Sequence, residues 1–197
     1  MVRVDSSGRR CVSQNEEQER LDEVERCPRS DARKLDVNIQ ELLDREAIRD
    51  VLATYCRAVD RHDETLMRSV YHPGAHESHG TFVGSAEDFV TSVISGKRYV
   101  GGQHVLGSSV IELNGDSARV ESTFICHLVT SDQHDGRVID VIAGRYWDTF
   151  ERRDGHWKIA GRTVLLDWHE RRPHARELPF SSEFIAGRRD ELDATYA

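Results

Sequence analysis

The stretch Gln103–Thr130, QHVLGSSVIELNGDSARVESTFICHLVT, decides the fold. Two runs rich in Val, Ile, Leu and Phe flank Asn114-Gly115, a dipeptide that strongly favours a two-residue hairpin turn. Gln103–Leu113 and Ser117–Thr130 therefore read as paired antiparallel strands. Downstream the same grammar repeats. Gln133–Arg137 makes a looser turn, Val138–Arg152 is a long strand, Asp154-Gly155 is a second tight turn, and His156–Trp168 is the last strand. A meander of four long strands results.

Upstream the period changes from two to 3.6. Asn38 can cap a helix with Glu41 at the box position. Ile39, Leu42, Leu43, Ile48, Val51, Leu52, Tyr55 and Val59 then recur at helical spacing. That helix ends around Arg61-His62-Asp63. A short helix over Glu64–Tyr71 is stopped by Pro73-Gly74, and residues 75–83 read as a short strand pair or an extended segment. Ser85 can cap a third helix, with Phe89, Val90, Val93 and Ile94 on its apolar face. Helices first and antiparallel strands second is an α+β pattern, not alternating βαβ. A long twisted antiparallel sheet with helices on one face curls, and its concave side encloses a pocket.

The domain boundaries follow from composition. Residues 1–37 are rich in Glu, Arg, Ser and Asp and read as a mobile leader. The folded domain is expected over 38–169, and 170–197 is a polar C-terminal tail that Phe180, Phe184 and Ile185 would tack onto the body. The chain carries 27 basic and 35 acidic residues among 197, a net charge of −8, with no basic stripe. That gives no electrostatic footprint for nucleic acid. No apolar run is long enough to span a membrane. The first twenty residues lack the apolar core of a signal peptide, which points to the cytoplasm. Cys11, Cys27, Cys56 and Cys126 show no CxxC spacing, and His62, His72, His76 and His79 match no ligand template, so no metal is expected. No Gly-rich phosphate loop, dinucleotide fingerprint or nucleophile elbow is present, so no cofactor is expected either.

The strongest chemical handle is the pair Asp60 and His104. Asp60 closes the run EAIRDVLATYCRAVD, and His104 opens an apolar strand after Gly101-Gly102. A carboxylate holding an imidazole is minimal equipment for taking a proton from carbon. Asp60 either points inward from the flank of the apolar stripe or caps the following turn. His104 is either a site residue or a satisfied structural histidine. His127, in ESTFICHLVT, is a second acid/base group or a core histidine bonded to a carbonyl. Arg162, on the apolar face of the last strand, pairs with Asp60, holds a substrate oxygen, or snorkels at the sheet edge.

These residues, in this order, resemble the SnoaL-like branch of the nuclear transport factor 2-like superfamily from about Ile39 to Trp168. The stretches that carry the likeness are REAIRDVLATYCRAVDRHD, the GGQH step and YWDTFERRDGHWKIAGRTV. The resemblance implies a cone-shaped α+β barrel: a curved, mostly antiparallel sheet wrapped around three N-terminal helices and enclosing an apolar pocket. Within that superfamily the chain is most similar to the cofactor-independent lyases. Hexachlorocyclohexane dehydrochlorinase implies a catalytic Asp–His dyad and a supporting arginine at Asp60, His104 and Arg162, but has a lysine where this chain has Tyr55. Bile-acid 7α-dehydratase implies a catalytic tyrosine at Tyr55. Scytalone dehydratase implies a second histidine, at His127.

The expectation is thus a dehydratase-type lyase acting on a hydrophobic cyclic or polycyclic substrate. In it His104 takes the proton, Asp60 orients His104, Tyr55 donates to the enolate or the departing hydroxyl, His127 acts as acid, and Arg162 balances charge or holds a substrate oxygen. An isomerase or polyketide-type cyclase using the same base, and a non-catalytic ligand-binding or small-subunit module, are the alternatives. A homo-oligomer, dimer or trimer, is expected because such a sheet leaves apolar surface to cover. The sequence leaves open whether Trp147 and Trp168 lie there or in the pocket.

Overall fold

A computed structural model describes residues 38–96, 98–130, 138–173, 181 and 183–197. The leader over 1–37, with Cys11 and Cys27, and Phe180 lie outside them. Helix α1 spans Ile39–Arg61 and α2 spans Glu64–Ser69. Strand β1 (Tyr71–His79) and strand β2 (Phe82–Ser85) follow, then helix α3 (Ala86–Ser95). The long strands are β3 (Tyr99–Asn114), β4 (Ser117–Thr130), β5 (Val138–Arg153) and β6 (His156–Pro173). A 3₁₀ turn covers Ala194–Tyr196.

Local chemistry sets these boundaries. Asp63 caps α2 by accepting the Leu66 N–H at 2.8 Å, and Ser85 caps α3 by accepting the Asp88 N–H at 3.1 Å. The β5–β6 hairpin turns on Asp154 and Gly155, both at positive φ (52° and 79°), as its two-residue loop requires. The six strands form one sheet in the order β2-β1-β6-β5-β4-β3. The meander is antiparallel, and β1 joins β6 in parallel, with the Ile159 N–H donating to Val70 O at 2.9 Å. Helix α1 packs on the inner face of this curled sheet, which stays open because its edges, β2 and β3, do not pair with each other. The fold is the α+β cone expected from the sequence.

The buried face of α1 differs from expectation at its start. Ile39, Leu42 and Leu43 are exposed, and the inward positions are Asp44, Ile48, Leu52, Tyr55, Cys56, Ala58 and Asp60. Asp44 goes inward because three donors meet it: Trp157 Nε1 at 2.9 Å, Arg152 Nη1 at 2.8 Å and Gln40 Nε2 at 3.1 Å. The core runs from Ile48 and Leu52 through Phe89 and Val90 to Val120, Phe124, Tyr146, Phe150 and Ile159.

Strand register assigns the two faces. On β4, even-numbered residues from Ala118 to Cys126 are buried inward. The odd-numbered positions form the outer face, where Val105, Ile125, Ala143 and Trp168 make one row across four strands. Trp147 is on that face too, paired across from Glu121. Val105, Ile125, Trp147 and Trp168 are all substantially exposed. Both tryptophans are therefore outside the pocket.

The last strand runs five residues beyond Trp168, to Pro173. Phe184 and Ile185, expected to tack the tail onto the body, are 71% and 83% exposed. Polar contacts hold it. Asp193 accepts the Arg188 N–H at 2.7 Å, Tyr196 Oη donates to Asp63 Oδ2 at 2.9 Å, and Arg57 donates to Thr195 O at 3.2 Å. The first is within the tail, and the other two tie the end of the chain to the C-terminal end of α1.

Candidate active site

Asp60 stands in the last turn of α1, and His104 lies on β3 with its side chain on the inner face. The structure brings them together twice. Asp60 Oδ2 accepts the backbone N–H of His104 at 2.9 Å, and Asp60 Oδ1 lies 2.7 Å from His104 Nδ1. An ionised carboxylate only accepts, so Nδ1 carries the proton and donates. The lone pair then sits on Nε2. The backbone bond fixes the carboxylate plane, and the carboxylate fixes the ring. Both side chains are largely buried, at 10% and 12% exposure. Sequence reasoning placed both residues without fixing this double contact.

His104 lines a cavity of about 450 Å³ between α1, α3 and the concave face of the sheet. Its apolar wall includes Phe89, Val93, Leu128 and Ile142. Tyr55 also lines it, packed edge-on against Tyr71 and Tyr146 with ring centroids 6.3 and 5.6 Å away. Burial pushes the Tyr55 hydroxyl far above its ordinary pKa, so it is a proton-bearing donor at every working pH. Burial also pushes the Cys56 and Cys126 thiols up to about 12, so neither is a nucleophile. The cavity continues into a second one of about 610 Å³ through the shared residues Thr81, Arg98, Tyr99 and Ile142.

Two expected members are elsewhere. His127 pairs with Gln103 across the β3–β4 ladder, whereas His104 pairs with Cys126. One residue of register separates them, so His127 projects from the opposite face of the sheet. It does not line the cavity. Arg162 does not reach Asp60. It lies opposite Asp148, and the two form a bidentate pair at 2.8 and 2.7 Å with both side chains fully buried. Its guanidinium carbon sits 4.1 Å from the Tyr55 ring centroid and 4.0 Å from that of Tyr146. Burial alone would lower the pKa of Arg162, but the Asp148 carboxylate overrides this and raises it, so the guanidinium stays charged; burial in turn raises the Asp148 carboxyl against the pull of Arg162. Its Nη1 has no hydrogen-bond partner among the described residues, and the two ring faces are what it meets. Arg162 supports Tyr55 from below and is absent from the cavity lining.

Two other residues take places in the cavity that sequence reasoning missed. His79 lines it from β1, with its ring stacked on Phe89 at 4.8 Å and its Nδ1 3.1 Å from Oε1 of fully buried Glu77. Tyr71 Oη donates to the other oxygen of Glu77 at 3.0 Å. The signal was present as Glu77-x-His79, since residues two apart on a strand share a face. It is passed over when His79 is weighed only as a metal ligand, although residues 75–83 read as a short strand pair or an extended segment. Arg189 lines the cavity from the tail, and no local pattern in that polar segment announces it. Among the described residues, no group of three or more His, Cys, Asp or Glu is placed to hold a metal ion, and no helix is long and apolar enough to cross a membrane.

A family model described as a SnoaL-like domain matches residues 40–163. Several solved structures share the fold. A candidate scytalone dehydratase from Novosphingobium aromaticivorans is 18% identical, with 70% of this chain and 97% of that one covered and a TM-score of 0.60. Hexachlorocyclohexane dehydrochlorinase LinA-type3 from Novosphingobium barchaimii is 18% identical, with coverage of 72% and 98% and a TM-score of 0.64. A nuclear transport factor 2-like superfamily protein from Salmonella enterica is 16% identical, with coverage of 61% and 89% and a TM-score of 0.56. No curated protein matches the chain.

Proposed function

Because the chain belongs to the SnoaL-like domain family, we propose that it is a cofactor-independent lyase of the dehydratase type, acting on a hydrophobic cyclic or polycyclic alcohol next to a carbonyl. The observation that carries this reading is the Asp60–His104 pair at 2.7 Å, with the free imidazole nitrogen directed away from the carboxylate on a residue that lines a cavity. His104 Nε2 takes the proton from carbon. Asp60 keeps the proton on Nδ1 and balances the imidazolium that forms. Tyr55, held protonated by burial, donates to the developing enolate oxygen. His79, seated against Glu77 on the same cavity, is the group placed to protonate the departing hydroxyl. General acid–base action of this kind is worth about 10²–10⁴-fold per group.

Among the neighbours in fold are proteins described as a candidate scytalone dehydratase and a dehydrochlorinase. Identities this low support the architecture, and the dyad supports the chemistry. The test is a screen of cyclic β-hydroxy ketones by mass spectrometry. Loss of water that disappears in His104→Ala supports the reading. Conversion at unchanged mass makes the protein an isomerase or cyclase with the same base, and no conversion of any member of the screen counts against catalysis. The same reading takes the chain as a homo-oligomer, with the exposed row Val105, Ile125, Trp168 as the face that a second copy covers. Light scattering on the purified chain checks it.

A further inference from the structure

The cavity beside His104 is lined by two fixed cations, Arg98 and Arg189, by His62, His79 and His104, and by no carboxylate side chain. Three of these are spoken for within the protein. Asp60 holds His104, Glu77 holds His79, and His62 donates through Nε2 to Val93 O at 3.0 Å. Arg98 lies 3.6 Å from Asp140.

Arg189 is different. It is half-buried, and its Nη1 and Nη2 donate to two backbone carbonyls, Tyr99 O and Val59 O, each at 3.2 Å. Those are two of the five N–H donors of a guanidinium. No carboxylate lies within ion-pair distance of it among the described residues. Burial disfavours its charge and pulls its pKa down, yet a guanidinium stays protonated throughout the working range. Asp60 acts on it only through space, and both Asp60 oxygens are already taken by His104, so this half-buried cation has no carboxylate in direct contact and gains when an anion meets it.

The protein spends several contacts on placing this cation. Asp193 accepts the Arg188 N–H at 2.7 Å and lies 3.6 Å from Arg61, and Tyr196 is tied to Asp63. These bonds fasten the residues flanking Arg189 to the end of α1 that presents Asp60. Gly102 makes room for it. A β-carbon there would sit 3.0 Å from Leu128 Cδ2 and 3.8 Å from Arg189 Nη1, so a larger side chain would run into the guanidinium. Gly102 is two residues before His104 on the same face of β3, and Arg189 and His104 line the same cavity.

We infer that the substrate carries a carboxylate, and that Arg189 binds it while His104 works on a carbon a few bonds away. The inference rests on the dyad cavity being the reaction site and narrows its substrate to cyclic or polycyclic acids. A carboxylate fits better than a neutral carbonyl. It supplies a full counter-charge, and its two oxygens match the guanidinium fork.

Calorimetric titration of the full chain with 2-naphthoate and with 2-naphthamide, its neutral isostere, tests this without turnover. Failure of the dehydration screen would therefore leave this test standing, and failure here would leave the dyad chemistry standing. The wild type is expected to bind the acid about tenfold more tightly than the amide, as one charge-assisted contact allows. Arg189→Gln is expected to remove that preference by weakening the acid alone. Arg189→Lys, which keeps the charge but not the fork, is expected to keep part of it, and it decides the matter if Arg189→Gln also loosens the tail. Equal or absent binding of the two probes by the wild type overturns the inference. So does an undiminished preference in Arg189→Gln.

Discussion

Replacing Asp60 by asparagine probes the dyad with the smallest change of shape. In the wild type the two carboxylate oxygens each accept one bond, from the His104 backbone N–H at 2.9 Å and from Nδ1 at 2.7 Å. An amide has one acceptor and one donor. The backbone N–H can only donate, so the amide oxygen must face it. The amide NH₂ then faces Nδ1, which must give up its proton and accept. The proton moves to Nε2, the nitrogen that serves as base. Asp60→Asn therefore loses the reactive tautomer while keeping the ring in place. A wrong tautomer of this kind costs about 10⁴-fold in kcat. The stability cost is that of turning one charge-assisted bond into a neutral one, about 1 kcal/mol, or a few degrees in Tm for a chain of this size. The tautomer is read without substrate, from the imidazole ¹⁵N shifts of His104: Nδ1–H in the wild type and Nε2–H in the variant. The same tautomer in both proteins would refute the reasoning, and so would unimpaired turnover in the variant.

Three further outcomes follow from other parts of the fold. Arg162→Met strands a buried Asp148 and should cost about 3–5 kcal/mol in urea unfolding, whereas the double variant Arg162→Met with Asp148→Leu should recover much of the loss; a double variant no more stable than the single one contradicts the pairing argument. Gly144→Ala should cost about 2 kcal/mol, because a β-carbon there would lie 2.2 Å from the carbonyl oxygen of Leu165, which the β5–β6 ladder holds in place; an unchanged Tm would show that the sheet yields. Four carboxyls titrate below their ordinary range. Burial raises Asp44, but the Trp157, Gln40 and Arg152 donors outweigh it; Arg171 lowers Asp140; the Arg188 side chain lowers exposed Asp190; the Arg188 N–H and the Thr195 donors lower Asp193. Their folded pKa values lie below the unfolded ones, so the stability they contribute is present above about pH 4 and is lost as pH falls further. The urea midpoint should hold between pH 7 and 5 and drop by pH 3, and a midpoint independent of acid would contradict this.

Much of the fold was legible because its punctuation is local. Asn114-Gly115, Asp154-Gly155 and Ser85 act on their own neighbours, and the strand and helix ends beside them fell where expected. Asp60 and His104 were legible as candidates because one ends a helix and the other opens a strand. What sequence could not supply was parity. His127 needed a register that counts Cys126 opposite His104. Arg162 needed the irregularity between Thr149 and Phe150, which shifts the β5–β6 pairing by one and brings Asp148, rather than Trp147, opposite it. A bulge is decided by packing across the sheet, and nothing near Thr149 in the chain announces it. Arg189 is beyond local reasoning for another reason. Its position depends on contacts that reach back about 130 residues to α1.

The stack of Tyr55, Arg162 and Tyr146 has a bearing on descent. Shrinking either ring would uncover the guanidinium, losing Arg162 would orphan Asp148, and losing Asp148 would orphan Arg162. Four positions thus hold one another hostage, and no single substitution among them is neutral. Val93, Leu128 and Ile142, which shape the opposite wall, carry no such mutual obligation. A change of substrate in this chain is therefore reached with fewer coupled substitutions through that wall than through the stack.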